Sequence, residues 1–310
     1  MRIANILEKK SRLNYLAFVD DDYNFFLIEK ILKEFNLNIN PNIIDPLKHN
    51  WLEKNNQKYL YDFFKKLKKL EHLIEDKEKW KLCAPVKFPN KIIAIGRNYM
   101  DHLEEGKRIW KNKGVNVSLP KFPSAFSKYS SSICDPFDKI IIPKNCTTLD
   151  YEIELAIIIG SNALNISEND SMDIIAGYTI CNDLSARAIQ MEEMTTQIGI
   201  NLSKNFPTFA PMGPWFTSTL SINNPQNLNL NLSVNGKERQ NANTRDMIFT
   251  IPAIISHWSK IGLKTGDIII TGTPSGVAIA RPDPNSYYLK NGDKVICEIE
   301  NLGKLENIVD

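Results

Sequence analysis

The stretch from Asp150 to Gly160 constrains this chain more than any other. Asp150-Tyr151-Glu152-Ile153-Glu154-Leu155-Ala156-Ile157-Ile158-Ile159-Gly160 is an apolar, β-branched run closed by glycine, the pattern of a buried strand. Side chains on a strand alternate faces, so Glu152 and Glu154 share one. Two carboxylates side by side among Ile and Leu repel each other and lack water, which is costly unless a cation or hydrogen-bond donors balance them. A hard divalent cation such as Mg²⁺ or Mn²⁺, which prefers oxygen ligands, would do so. An edge strand with a wet glutamate face is the alternative.

Composition narrows the function classes. The formal net charge of the 310 residues is +2, from 38 basic and 36 acidic side chains, so no global field attracts nucleic acid. Basic residues cluster in Lys65-Lys66-Leu67-Lys68-Lys69, but Glu71, Glu75, Asp76 and Glu78 dilute them into a solvated helix face. Five scattered cysteines without CxxC spacing argue against a disulfide framework or a thiolate zinc site. The first residues meet charge at once and resemble no secretory signal, and no window is apolar enough for a membrane span. A cytoplasmic protein is expected.

Two units are expected along the chain. Residues 1–85 read as a small α+β extension. It has a hairpin around Asp20-Asp21-Asp22, a helix over 31–35, and another over Tyr59–Ile74 with Tyr59, Phe63, Leu67, Leu70 and Ile74 on its apolar face. His49 and His72 read as surface residues. A linker with Pro85 and Pro89 precedes a strand-rich unit over 90–310. Its strand candidates are 92–96, 140–142, 155–159, 175–181, 215–218, 228–234, 267–271 and 294–300. Asn235-Gly236 marks a hairpin turn, and Asn291-Gly292 precedes the last strand expected. Thr250–Ile261 reads as a helix, and the polar residues 106–120 as a mobile excursion.

Several constellations in this unit could carry chemistry. Asn182-Asp183 follows a buried strand, so Asp183 either caps a helix or supplies a third oxygen ligand. His102 and Glu105 share a helix face, and a carboxylate beside a histidine raises its basicity for general-base work. Chance surface pairing is the alternative. Lys204 sits in a Pro- and Gly-stiffened apolar segment, where it either stabilises developing negative charge or packs only its stem. Thr271-Gly272-Thr273-Pro274-Ser275-Gly276-Val277 is a strand-to-loop turn whose amides could receive a carboxylate.

Taken in order, Gly96-Arg97-Asn98-Tyr99, His102-x-x-Glu105, Glu152-x-Glu154, Asn182-Asp183-Leu184-Ser185-Ala186-Arg187, Lys204 and Thr271–Val277 resemble the fumarylacetoacetate hydrolase family. The resemblance covers 90–310 and implies a mainly β fold with α (α+β). This is a mixed β-sandwich roll carrying a small N-terminal α+β domain over 1–85 in the position of a cap. It also implies a homodimer with one Mg²⁺ or Mn²⁺ per chain, held by Glu152, Glu154 and Asp183. It makes His102, supported by Glu105, the base that activates water, and places Lys204, Gln190 and Thr273 around a small 2-oxo acid. The implied reaction is hydrolysis of a C–C bond in an acylpyruvate-like β-diketo acid, the carbanion leaving as a metal-bound enolate. The same scaffold also serves isomerases of hydroxymuconate-type dienoic diacids and oxaloacetate decarboxylases. Two positions depart from the family pattern. Pro207 stands where many relatives carry an acid, and Lys128 is followed by Tyr129 rather than proline.

Overall fold

The computed structural model describes all residues except 38–39, 112–117 and 197–198. The chain begins with β1 (Arg2–Glu8), β2 (Asn14–Val19) and β3 (Phe25–Leu27), an antiparallel meander, followed by α1 (Ile28–Glu34), α2 (Lys54–Phe64) and β4 (Trp80–Cys83). The hairpin around Asp20-Asp21-Asp22 is present as β2 and β3. The long helix expected over 59–74 is instead α2 followed by isolated 3₁₀ turns at 67–69 and 71–73. Leu60, Phe63, Leu67 and Leu70 are buried, while Tyr59 and Ile74 are exposed. His49 is half-buried rather than fully exposed. It packs so closely over Gly266 that a Cβ there would fall 2.1 Å from its Nδ1.

The second part contains β5 (Ile92–Ile95), α3 (Met100–Lys111), β6 (Ala125–Lys128), β7 (Ile133–Cys134) and β8 (Leu149–Asp150). Next come β9 (Ile153–Ile159), α4 (Glu168–Ser171), β10 (Ile175–Asn182), β11 (Ser185–Ala186), α5 (Arg187–Thr195) and β12 (Ala210–Ser218). The last elements are β13 (Asn229–Val234), β14 (Lys237–Asn243), α6 (Ile251–Ser259), β15 (Ile268–Ile270), β16 (Lys294–Ile299) and β17 (Gly303–Ile308). Asn235 and Gly236 both take positive φ, 51° and 74°, as a two-residue hairpin turn requires. Thr250 caps α6, its side chain accepting from the Ala253 N–H. Residues 140–142 contribute only an isolated bridge at Ile140. The polar excursion expected over 106–120 continues as α3 to Lys111, and 112–117 lie outside the described residues.

Among the described residues these strands make a large sheet in the order β3-β2-β1-β12-β10-β9-β15-β5-β6, with β4 added to β1 and β7 to β12. A second sheet, β14-β13-β16-β17, packs across it, giving the mainly β fold with helices read from the sequence. The alternation along β9 joins two cores. Ile153, Leu155, Ile157 and Ile159 face the second sheet, with Leu230, Leu232, Val295 and Leu305. Ala156 and Ile158 face the other way, toward Phe18, Trp51, Phe63 and Leu67 of the N-terminal segment. Burial on both faces explains why β9 reads as a continuous apolar run.

Candidate metal centre and active-site cavity

Pairing register brings the chemistry to one end of the large sheet. β5 and β15 are parallel, β9 runs antiparallel to β15, and β10 antiparallel to β9. The loops leaving β5, β10 and β15 therefore meet the residues entering β9. Glu154 lies opposite Cys181, and the Asp183 N–H donates to the Glu152 carbonyl at 2.8 Å. Glu152, Glu154 and Asp183 are all buried, and each offers a carboxylate oxygen within 4.8 Å of the others. Asp183 is no helix cap, because α5 begins only at Arg187.

Cations crowd this cluster. Lys204, 2% exposed, donates from Nζ to Glu152 Oε2 at 2.6 Å and to Asp183 Oδ2 at 2.8 Å. Burial would lower its pKa, but Asp183 and Glu152 outweigh that and raise it, so the ammonium stays charged. Arg187 donates through Nη2 to Glu152 Oε1, and at 2.8 Å through Nε to Asp150 Oδ2. Glu152 would be raised by burial, yet Lys204 and Arg187 hold it at about 2. Four buried carboxylates, Asp150, Glu152, Glu154 and Asp183, thus face three buried cations, Lys128, Arg187 and Lys204. The uncompensated acid is Glu154. Among the described residues it accepts only the Gly272 N–H, at 2.7 Å, and burial followed by Asp183 and Glu152 pushes its carboxyl well above the usual range.

The donor set fits a hard divalent cation. All three groups are carboxylates, and charge is left over. Asp183 Oδ1 is also a buried acceptor without a hydrogen bond, lying 2.7 Å from Lys128 Nζ but off the bonding direction.

The carboxylates open into a cavity of about 420 Å³, whose lining includes His102, Gln190, Lys204 and Thr273. His102 and Glu105 lie on α3, with His102 Nδ1 3.3 Å from Glu105 Oε2. The other oxygen, Glu105 Oε1, accepts from the Gly276 N–H at 2.9 Å, so the pair is tied to the loop after β15. Gln190 Oε1 accepts from Arg187 Nη1 at 2.9 Å. The Thr273 hydroxyl donates to the Ile153 carbonyl at 3.0 Å and accepts from Gln240 Nε2 at 2.8 Å. All eight residues singled out from the sequence therefore belong to one cavity and its immediate support.

Sequence reasoning missed part of that support. Asp150 accepts from the Tyr151, Ala278 and Ile279 N–H groups as well as Arg187, so one buried side chain fixes both the entry to β9 and the loop wall. Lys128, noted in the sequence only for the Tyr129 that follows it, donates from Nζ to the Lys204 carbonyl and pairs with Asp183. Gln240 bridges Ile153, Thr273 and Pro274. None carries a local pattern, though the burial of the strand beside Asp150 was a usable signal.

Comparison with known proteins defines the class first. Residues 91–310 match the family model for the fumarylacetoacetate (FAA) hydrolase C-terminal domain, and the chain belongs to that family of enzymes. The fumarylacetoacetate hydrolase domain-containing protein 2 homolog of Dictyostelium discoideum is 43% identical over 241 residues, 75% of each chain. The human protein named oxaloacetate tautomerase FAHD2A, mitochondrial, is 40% identical over 227 residues, 73% of this chain and 68% of that one. Maleylpyruvate hydrolase from Sphingobium sp. SYK-6, solved with manganese(II) and pyruvate, superposes with a TM-score of 0.69. It is 27% identical and aligned over 100% of this chain and 98% of that one. Among the described residues no helix is long and apolar enough to cross a membrane.

Proposed function

We propose that the chain interconverts the enol and keto forms of a small 2-oxo dicarboxylate of the oxaloacetate type, with one Mg²⁺ or Mn²⁺ held by Glu152, Glu154 and Asp183. The observation that carries this reading is the juxtaposition, on one cavity, of a buried carboxylate triad and a histidine oriented by a carboxylate. The names of relatives about 40% identical select the reaction among those such a site can perform. When bound, the cation supplies Lewis-acid polarisation of the 2-oxo group.

The chain's own residues do the rest. One proton leaves the enol oxygen, one arrives at C3, and no bond between carbons is broken. His102 carries the proton, and Glu105 fixes its ring and raises its basicity. The Lys204 ammonium, pinned by Glu152 and Asp183, faces the negative charge that develops on the oxygen. Gln190 and Thr273 orient the substrate. A homodimer is part of the proposal on family grounds.

Hydrolysis of an acylpyruvate is the second reading, favoured by the same His102–Glu105 pair, which could equally take a proton from water. One preparation separates the two. Enol oxaloacetate should lose its ultraviolet band faster with enzyme, without release of pyruvate, and acetylpyruvate should be cleaved slowly at most. His102→Ala should slow the enol conversion by about 10²–10⁴-fold. Rapid pyruvate release from acetylpyruvate with no acceleration of enol decay would replace tautomerisation by hydrolysis.

A further inference from the structure

Arg97 is the charged residue on the cavity wall that the chemistry above does not use. Three residues with permanently cationic side chains, Arg97, Arg187 and Lys204, line the cavity. Arg187 is spent on Asp150 and Glu152, and Lys204 on Glu152 and Asp183. Arg97 is exposed and makes no ion pair or side-chain hydrogen bond among the described residues. A guanidinium is a rigid fork of donors suited to a carboxylate, and this one has none among the described residues.

Its backbone is held at a cost. Arg97 has φ +56°, the left-handed region that glycine and asparagine favour and a bulky side chain avoids. The next residue enforces that turn. Asn98 Nδ2 donates to the Thr271 carbonyl at 2.8 Å and to the Phe249 carbonyl at 3.2 Å, while its Oδ1 accepts from the Phe249 N–H at 2.7 Å. The same turn follows β5 at the sheet end that presents the carboxylates, and the Gly96 N–H donates to the Ser124 carbonyl at 3.0 Å on the cavity wall. A strained turn that delivers an unpaired cation to a cavity is built for an anion brought by the ligand.

We infer that Arg97 is the subsite for the distal carboxylate of a dicarboxylate substrate, and so selects diacids over 2-oxo acids with a neutral tail. This rests on reading the triad as the site for the 2-oxo acid head. The head binds at the Glu152, Glu154 and Asp183 end, and the far carboxylate accepts from Arg97.

The test compares two inert probes that differ only in the distal group, malate and lactate, by titration calorimetry on the Mg²⁺-loaded protein. Wild type should bind malate about 10- to 100-fold more tightly than lactate. Arg97→Asn, whose side chain tolerates the left-handed turn, should bring that ratio close to one, and Arg97→Lys should recover part of it. In turnover, Arg97→Asn should raise KM for oxaloacetate far more than it lowers kcat. A wild-type protein that does not distinguish malate from lactate would overturn the assignment. So would Arg97→Asn retaining the full ratio, or weakening both probes equally. If wild type fails to interconvert oxaloacetate but shows the ratio, and Arg97→Asn abolishes it, the tautomerase reading falls and the subsite stands.

Discussion

Glu154 is the residue whose position is hardest to reconcile with a protein that binds nothing. It is 2% exposed, beside two other acids, and one backbone N–H is the only donor it has among the described residues. Lys204 and Arg187 serve Glu152, and Lys204 and Lys128 serve Asp183, so Glu154 is the acid left without an ion-pair partner among the described residues. Such a group lowers the stability of the empty protein in exchange for a ligand site. Glu154→Gln should therefore stabilise the metal-free protein, by about 1–4 kcal/mol in chemical denaturation with a chelator present. The same change should remove the extra stability that Mn²⁺ gives wild type. A destabilised Glu154→Gln protein would mean that the carboxylate is already balanced.

At the scale of elements, the turn after β15 ties the site together, and Gly272, whose N–H holds Glu154, has no room for a side chain. Its φ is +93°, and an added Cβ would lie 2.8 Å from the Asn98 Cβ and 3.2 Å from the Ile95 carbonyl oxygen. Gly272→Ala should cost about 1–3 kcal/mol through backbone strain, with further loss from the clash, and should weaken metal binding by shifting the N–H that holds Glu154. An unchanged thermal midpoint would show that the turn can relax. The sequence made some elements legible and hid others for physical reasons. β5, β9 and β10 were readable because both faces are buried, which leaves an uninterrupted apolar run. β1 and β17 were missed because each carries an inward asparagine. Asn5 donates to the Ala84 carbonyl at 3.4 Å, and Asn307 donates to the Asp138 carbonyl at 2.8 Å. Polar residues there look like loop until their distant partners are known. The apolar spacing over 59–74 continued past the real end of α2 at Phe64 because 3₁₀ turns keep Leu67 and Leu70 inward as well. Glu152, Glu154, His102 and Glu105 were legible from spacing alone, whereas Asp150, Lys128 and Gln240 act on Arg187, Lys204 and Ile153, partners 37, 76 and 87 residues away, which no local pattern records.

At the scale of the whole molecule, the N-terminal segment and the site share a sheet. β1 pairs antiparallel with β12, Ile3 opposite Phe216, and Ala84 donates its N–H to Asp135 Oδ1 at 2.8 Å. Phe18, Trp51, Leu60 and Phe63 cover the face of β9 opposite the second sheet. Removing residues 1–87 would strip that core, so the remaining chain should be insoluble or unfold without a cooperative transition. A soluble 88–310 fragment with a sharp unfolding transition would show instead that the N-terminal strands are an accessory. Everything proposed for the chemistry depends on three acids converging on one cation, and electron paramagnetic resonance of Mn²⁺ reads that directly. Titrated into chelator-treated wild type, Mn²⁺ should lose its free-ion signal up to one ion per chain, whereas Glu154→Gln and Asp183→Asn should leave the signal free. A wild-type protein that binds no Mn²⁺, or variants that bind it as tightly as wild type does, would contradict the account.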